Sequence, residues 1–148
     1  MAVQYGAPRR GLPAPARLRR WARAALEHKV RGMQRAARIT VRIVGAAEGR
    51  ALNRDFRGRN YATNVLSFRM KNAPALEGDL ALCAPVIARE ARAQGKDLAA
   101  HYAHLVVHGV LHLQGHDHET PRAARRMERR ESRIVTALGF PDPYQHQG

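Results

Sequence analysis

Three histidines, His108, His112 and His118, lie within one eleven-residue stretch, and Gly115 separates the second from the third. Residues four apart on an α-helix differ by about 40° in rotation and about 6 Å in rise. His108 and His112 therefore project from one face and can share an ion. On a continuing helix His118 would stand about 15 Å from His108, out of reach. The chain must turn back. Gly115 is where it can, because glycine past a helix end takes the left-handed conformation without steric cost. The stretch predicts a helix, a glycine turn and a returning ligand.

Three imidazoles leave a tetrahedral zinc one ligand short. Catalytic zinc keeps that position for water, whereas structural zinc is usually closed by four protein ligands. Water held there is acidified to a pKa of about 7, so the spacing predicts a hydrolase. The same ligand spacing occurs in the metzincin proteases, H-E-x-x-H-x-x-G-x-x-H. Their general-base glutamate is replaced by Gly109 here. The metal cradle is kept and the peptidase base is missing, which argues against peptide hydrolysis.

Charge narrows the substrate. The 148 residues carry a net charge of +14, and 23 of the 26 basic residues are arginine. Such an excess favours a polyanionic partner: RNA, DNA or a membrane surface. A GC-rich genome also inflates arginine and alanine, so charge alone does not decide. Joined to a hydrolytic metal, it points to phosphodiester cleavage. No apolar run approaches the ~20 residues of a membrane span. Met1 to Arg20 lacks a signal-peptide core, so no export is expected. The single cysteine, Cys83, excludes an internal disulfide and suits a reducing cytoplasm. One domain over residues 1–148 is expected, long enough to bury a core.

Residues 1–13 read as a short strand or loose arm. Pro15 opens a helix to about Lys29, with Leu18, Trp21, Ala25 and Leu26 at core spacing. Residues 39–43 alternate as a half-buried strand does, and 46–55 form a short helix carrying Leu52 inward. Strands follow at 63–68 and 78–83. A helix runs from Pro85 to about Gln94, where Gly95 stops it. Asp97 caps the ligand helix at 98–114. Thr120-Pro121 starts the last helix, whose apolar stripe is Met127, Ile134 and Leu138; Gly139 and Pro141 end it. Its arginines, from Arg122 to Arg133, read as a solvated face able to contact phosphates. The tail 141–148, with His146, reads as flexible. Strands mixed with helices, without regular βαβ alternation, predict an α+β fold: a small mixed β-sheet packed with helices, with the three-histidine metal site at the end of a helix.

H-G-x-L-H-L-x-G-x-D-H strongly resembles the signature of the YbeY family of bacterial metal-dependent endoribonucleases. Asn53-Arg54-Asp55-Phe56-Arg57-Gly58-Arg59, followed by Thr63-Asn64-Val65-Leu66-Ser67-Phe68, resembles that family's second block. Gly78-Asp79-Leu80 with Cys83 resembles its third. The resemblance covers roughly residues 39 to 138. Three departures stand out: His116 replaces a usual tyrosine, Arg59-Asn60 a lysine-aspartate pair, and Ala62 a proline.

The resemblance implies one bound Zn2+, single-strand selectivity, and action in 16S ribosomal RNA 3′-end maturation and ribosome quality control in the cytoplasm. It implies ribosomal RNA, the small ribosomal subunit, ribosomal proteins and a ribosome-associated GTPase as partners. It assigns His108, His112 and His118 as metal ligands and Arg57 as the arginine important for activity. A guanidinium fork suits Arg57 to the charge that builds on phosphoryl oxygens; pairing with Asp55 or Asp79 is the structural alternative. Four further residues are candidates. His104 reads as a group orienting a ligand or touching substrate, or as a partly buried polar residue. Asp117 reads as an acceptor for a ligand's N–H. Asp79 reads as the same or as a turn residue. His116 reads as an alternative ligand, a proton shuttle or, preferably, a surface residue. The competing function is a non-catalytic RNA-binding ribosome-assembly factor with a structural metal.

Overall fold

Ile39, Val41 and Ile43 are buried on one side of strand β2 (Ala37–Val44), and Arg38, Thr40 and Arg42 take the other, more exposed side. The computed structural model describes residues 1–26, 37–70 and 75–144. On one flank of β2 runs β1 (Ala2–Gly6), parallel to it; on the other runs β4 (Leu76–Cys83), also parallel. The last strand, β3 (Val65–Arg69), is antiparallel to β4, which makes a mixed sheet of order β1-β2-β4-β3. Among the described residues β3 therefore forms one edge.

Five helices accompany the four strands among the described residues: α1 (Pro15–Ala25), α2 (Ala46–Arg57), α3 (Ala84–Gln94), α4 (Leu98–Leu113) and α5 (Pro121–Ala137). The α+β architecture is as expected, and strand β1 is the feature foreseen near the N-terminus. Boundaries move by a few residues. The first helix ends at Ala25, where Leu26 is already extended; the expected end at Lys29 lies outside the described residues.

Helix α4 carries the site, and its sequence explains where it lies. Asp97 accepts from the backbone N–H groups of Ala99 and Ala100, a cap worth about 1 kcal/mol. Tyr102, Val106, Val110, Leu111 and Leu113 are all buried, each worth roughly 1.5–3 kcal/mol. With α1 on one side, they form one cluster with Ile39, Val41, Leu80 and Leu82 of the sheet.

Two glycines set how close helix and sheet come. A Cβ on Gly109 would sit 2.7 Å from Leu80 Cδ2, and one on Gly78 would sit 2.7 Å from the Phe68 carbonyl and 2.8 Å from Leu113 Cδ2. The Ser67 hydroxyl donates to the Gly109 carbonyl at 3.3 Å. The histidine-bearing end of α4 is thus pressed against the edge strand. Gly109, where the metzincins have glutamate, is a packing residue facing Leu80.

Gly109→Glu is expected to destabilise the fold by about 3–5 kcal/mol, because it drives a carboxylate into the helix–sheet contact without a partner. Urea unfolding followed by circular dichroism checks this; an unchanged midpoint would refute the close contact.

Candidate active site

The end of α4 closes in a glycine turn whose backbone also serves the histidines. Gly115 has φ of 99°. Its N–H donates to the His112 carbonyl at 3.0 Å, and the His116 N–H donates to the Leu111 carbonyl at 3.2 Å. This is the paired bonding of a Schellman turn. It leaves the His116 carbonyl facing back, where it accepts from His112 Nδ1 at 2.9 Å.

The turn returns His118 to the helix. Ring centroids of His108 and His118 are 4.8 Å apart, those of His108 and His112 6.4 Å, and those of His112 and His118 6.3 Å. Imidazoles holding one zinc through nitrogen at about 2.0–2.1 Å and tetrahedral angles have centroids about 5 Å apart. Two sides of the observed triangle are wider than that. Among the described residues no group of three or more histidine, cysteine, aspartate or glutamate side chains forms a ready metal cage. At the end of α4, where the metal site was expected, three rings converge without forming a closed set of ligands.

The donor chemistry of the rings fits a metal. His108 Nδ1 donates to Glu131 Oε1 at 2.7 Å, and His112 Nδ1 donates to the His116 carbonyl. Each bond fixes the tautomer that leaves Nε2 with a free lone pair, the arrangement typical of metal-bound histidine. Partial desolvation and the nearby His108 hold His118 below the usual imidazole range, which favours its neutral, ligating form.

Glu131, from α5, is wholly buried. Its Oε1 accepts from His108 and lies 3.3 Å from His104 Nε2. Its Oε2 accepts from the Tyr144 hydroxyl at 2.7 Å. Burial alone would raise this carboxyl, but bonds from His104, His108 and Tyr144 outweigh it and hold the group at about 2. Glu131 is thus a fixed anion that orients. Neither it nor Tyr144 was among the sequence candidates. The signal for Glu131 was an acid four residues after Met127 on an apolar helix face. The buried stripe is Met127, Glu131 and Val135, with Ile134 and Leu138 packed at its margin.

Arg57, the last residue of α2, reaches the edge strand. Its Nη2 donates to the Ser67 carbonyl at 2.8 Å and its Nη1 to the Phe56 carbonyl at 3.2 Å. Among the described residues Asp55 pairs with Arg54 and not with Arg57. Arg57, Ser67, Phe68, Arg69, His112 and Leu113 line a hollow of about 330 Å3. The structure brings Arg57 and a histidine of the cluster to one concavity, although 55 positions separate them in the chain.

Other candidates fall differently. His104 joins the cluster through Glu131 and the Tyr144 hydroxyl, 3.2 Å from its Nε2. Asp117 accepts from the Glu119 N–H at 3.1 Å and so shapes the returning turn; the expected bond to a ligand imidazole is absent among those described. Asp79 is corrected more fully. Gly78 and Leu80 face α4, so strand alternation turns Asp79 to the opposite face of the sheet, where it lines hollows with Thr40 and Phe68. His116 contributes its backbone carbonyl to His112, and its side chain is half-buried. The tail expected to be flexible from Pro141 is held at its start: Asp142 accepts from Ser132 at 2.7 Å and Tyr144 donates to Glu131. Residues 145–148, with His146, lie outside the described residues.

Comparison with known proteins agrees with this architecture. The family model described as Endoribonuclease YbeY matches residues 10–139. A protein named Endoribonuclease YbeY from Aromatoleum aromaticum is 58% identical over 132 residues, covering 89% of this chain and 81% of its own. One of the same name from Nitrosomonas eutropha is 51% identical, with 97% of each chain covered. A solution structure of a Thermotoga maritima protein superposes with a TM-score of 0.52 at 21% identity over 99% of this chain and all of its own, which supports the fold.

Glu131 makes the fold pH-dependent. Its carboxyl falls from 4.5 to about 2 on folding, so its contribution is full above the unfolded value and is lost as pH falls towards about 2. Urea unfolding should find Glu131→Gln about 3 kcal/mol less stable than wild type at neutral pH. That gap should narrow as pH falls from about 4.5 to about 2. A gap of constant size would show that the charge is not what holds the network.

Proposed function

The chain belongs to the YbeY family of endoribonucleases, and on that premise we propose that it cuts single-stranded RNA with one Zn2+ held by His108, His112 and His118. The supporting observation is the convergence of three imidazoles, two with Nδ1 already engaged, beside a hollow that Arg57 shares with His112. When bound, zinc supplies Lewis acidity: it polarises a phosphoryl oxygen and acidifies water.

The chain's own groups do the rest. Glu131 and the His116 carbonyl keep His108 and His112 in the ligating tautomer. Arg57 stands on backbone carbonyls with further N–H donors to spare, and its guanidinium would bind a phosphate in the hollow and stabilise the charge that builds as the bond breaks. Glu131 does not act as a general base, because three donors already occupy it and its carboxyl is held near the bottom of the acid range. Among the described residues no carboxylate lines the hollow. The attacking oxygen is then either water or the RNA's own 2′-hydroxyl, and a 2′,3′-cyclic phosphate among the products would assign the latter.

The biological setting proposed is maturation of the 16S ribosomal RNA 3′ end and ribosome quality control in the cytoplasm. Ribosomal RNA and the small subunit would be partners, with ribosomal proteins and a ribosome-associated GTPase around them. The net charge of +14 supports a nucleic-acid partner. No helix among the described residues is long and apolar enough to cross a membrane.

The test compares wild type with His112→Ala on a single-stranded RNA from the small-subunit 3′ end, with circular dichroism as the folding control. Cutting should fall by at least about 100-fold while the fold persists. Glu131→Gln should bind zinc about 10–100-fold more weakly. Equal cutting by wild type and His112→Ala would assign the activity to a contaminant.

A further inference from the structure

Phe56, in the last turn of helix α2, has 61% of its surface exposed. Leu52 of α2 packs on Val44, Cys83 and Val86, whereas Phe56 belongs to neither core cluster. Its ring meets Phe68 edge-on, at 5.2 Å between centroids and 64° between planes. The Arg57 guanidinium lies 5.2 Å from the centroid of that same Phe68 ring. Phe68 also lines three hollows: the one shared by Arg57 and His112, one with Arg38 and Met70, and one with Phe56 and Arg42. The ring is therefore the shared wall of a track over the edge of β3.

We propose that Phe56 and Phe68 form a base-stacking subsite, which seats one nucleotide of a single strand as it crosses the β3 edge towards Arg57 and His112. This rests on the endoribonuclease reading above and adds where the strand lies. Successive bases of a single strand offer free faces to aromatic rings, while a duplex has already stacked its own. The rim is cationic: exposed Arg57 lies over the Phe68 ring, and exposed Arg69 lines two of the hollows with it. That charge favours a phosphate backbone over an apolar protein partner. Asp79 lines two hollows with Phe68, one of them also bordered by Phe56; its carboxylate disfavours phosphate there, so the backbone runs on the side of Arg57 and His112.

The test uses the zinc-loaded full chain and a single-stranded DNA oligonucleotide carrying 2-aminopurine, since stacking needs no 2′-hydroxyl. Wild type should quench the 2-aminopurine on binding. Phe56→Ala should bind about 5- to 150-fold more weakly and lose the quenching. Phe56→Trp should restore both, and the salt dependence of affinity should be unchanged in all three, because no charge is removed. The subsite is overturned if wild type gives no quenching, if Phe56→Ala binds as tightly as wild type, or if Phe56→Trp fails to restore binding. It is equally overturned if Phe56→Ala leaves affinity intact and instead breaks a dimer seen by size-exclusion light scattering. RNA cutting by the same wild-type preparation reads the endoribonuclease function separately. Quenching without cutting would retain the subsite and reject the function; cutting with an unaffected Phe56→Ala would do the reverse.

Discussion

A carboxylate removed from water must be repaid in hydrogen bonds, and at Glu131 the repayment organises the site. His108 comes from α4, Glu131 from α5 and Tyr144 from the segment beyond it. Removing any one donor would leave a buried anion short of partners, a costly state in a low-dielectric interior. The network therefore behaves as one unit, and the ring orientation of His108 is inherited from the docking of α5. Charge and packing are not separable here: the apolar face formed by Met127 and Val135 brings the anion to the histidines.

The second determinant is steric. Gly78 and Gly109 carry no side chain at the contact between β4 and α4, and neither could gain a Cβ without a clash. The helix lies close enough for the Ser67 hydroxyl to reach the Gly109 carbonyl. That approach places His112 beside the edge strand, whose Ser67 carbonyl is held by Arg57. An arginine that covers an edge-strand carbonyl also blunts the strand's capacity to pair with another chain. The same contacts that secure the sheet edge thus build the hollow shared by a cation and a candidate ligand.

Several readings followed directly from local chemistry. Asp97 and Thr120 cap their helices through their side chains. Alternation at 39–43 produced a strand with one buried face. The expectations that failed share a different character. Asp79 was grouped with the site by its place in a block resembling the family's third, but strand alternation turns it to the other face of the sheet. Asp117 sits between two site histidines, yet the nearest donor was the Glu119 N–H. The segment after Pro141 looked free because of its composition; Tyr144 has a buried acceptor that composition cannot reveal.

By itself the sequence determined what depends on contiguous backbone: helical spacing that pairs His108 with His112, and a glycine that turns the chain and returns His118. Helix periodicity and the left-handed freedom of Gly115 are local properties, legible residue by residue. Tertiary structure alone decided the role of Glu131, the capture of Tyr144 and the meeting of Arg57 with His112. Each depends on how distant segments pack, and the energy of that packing lies in shared burial, which no single segment carries.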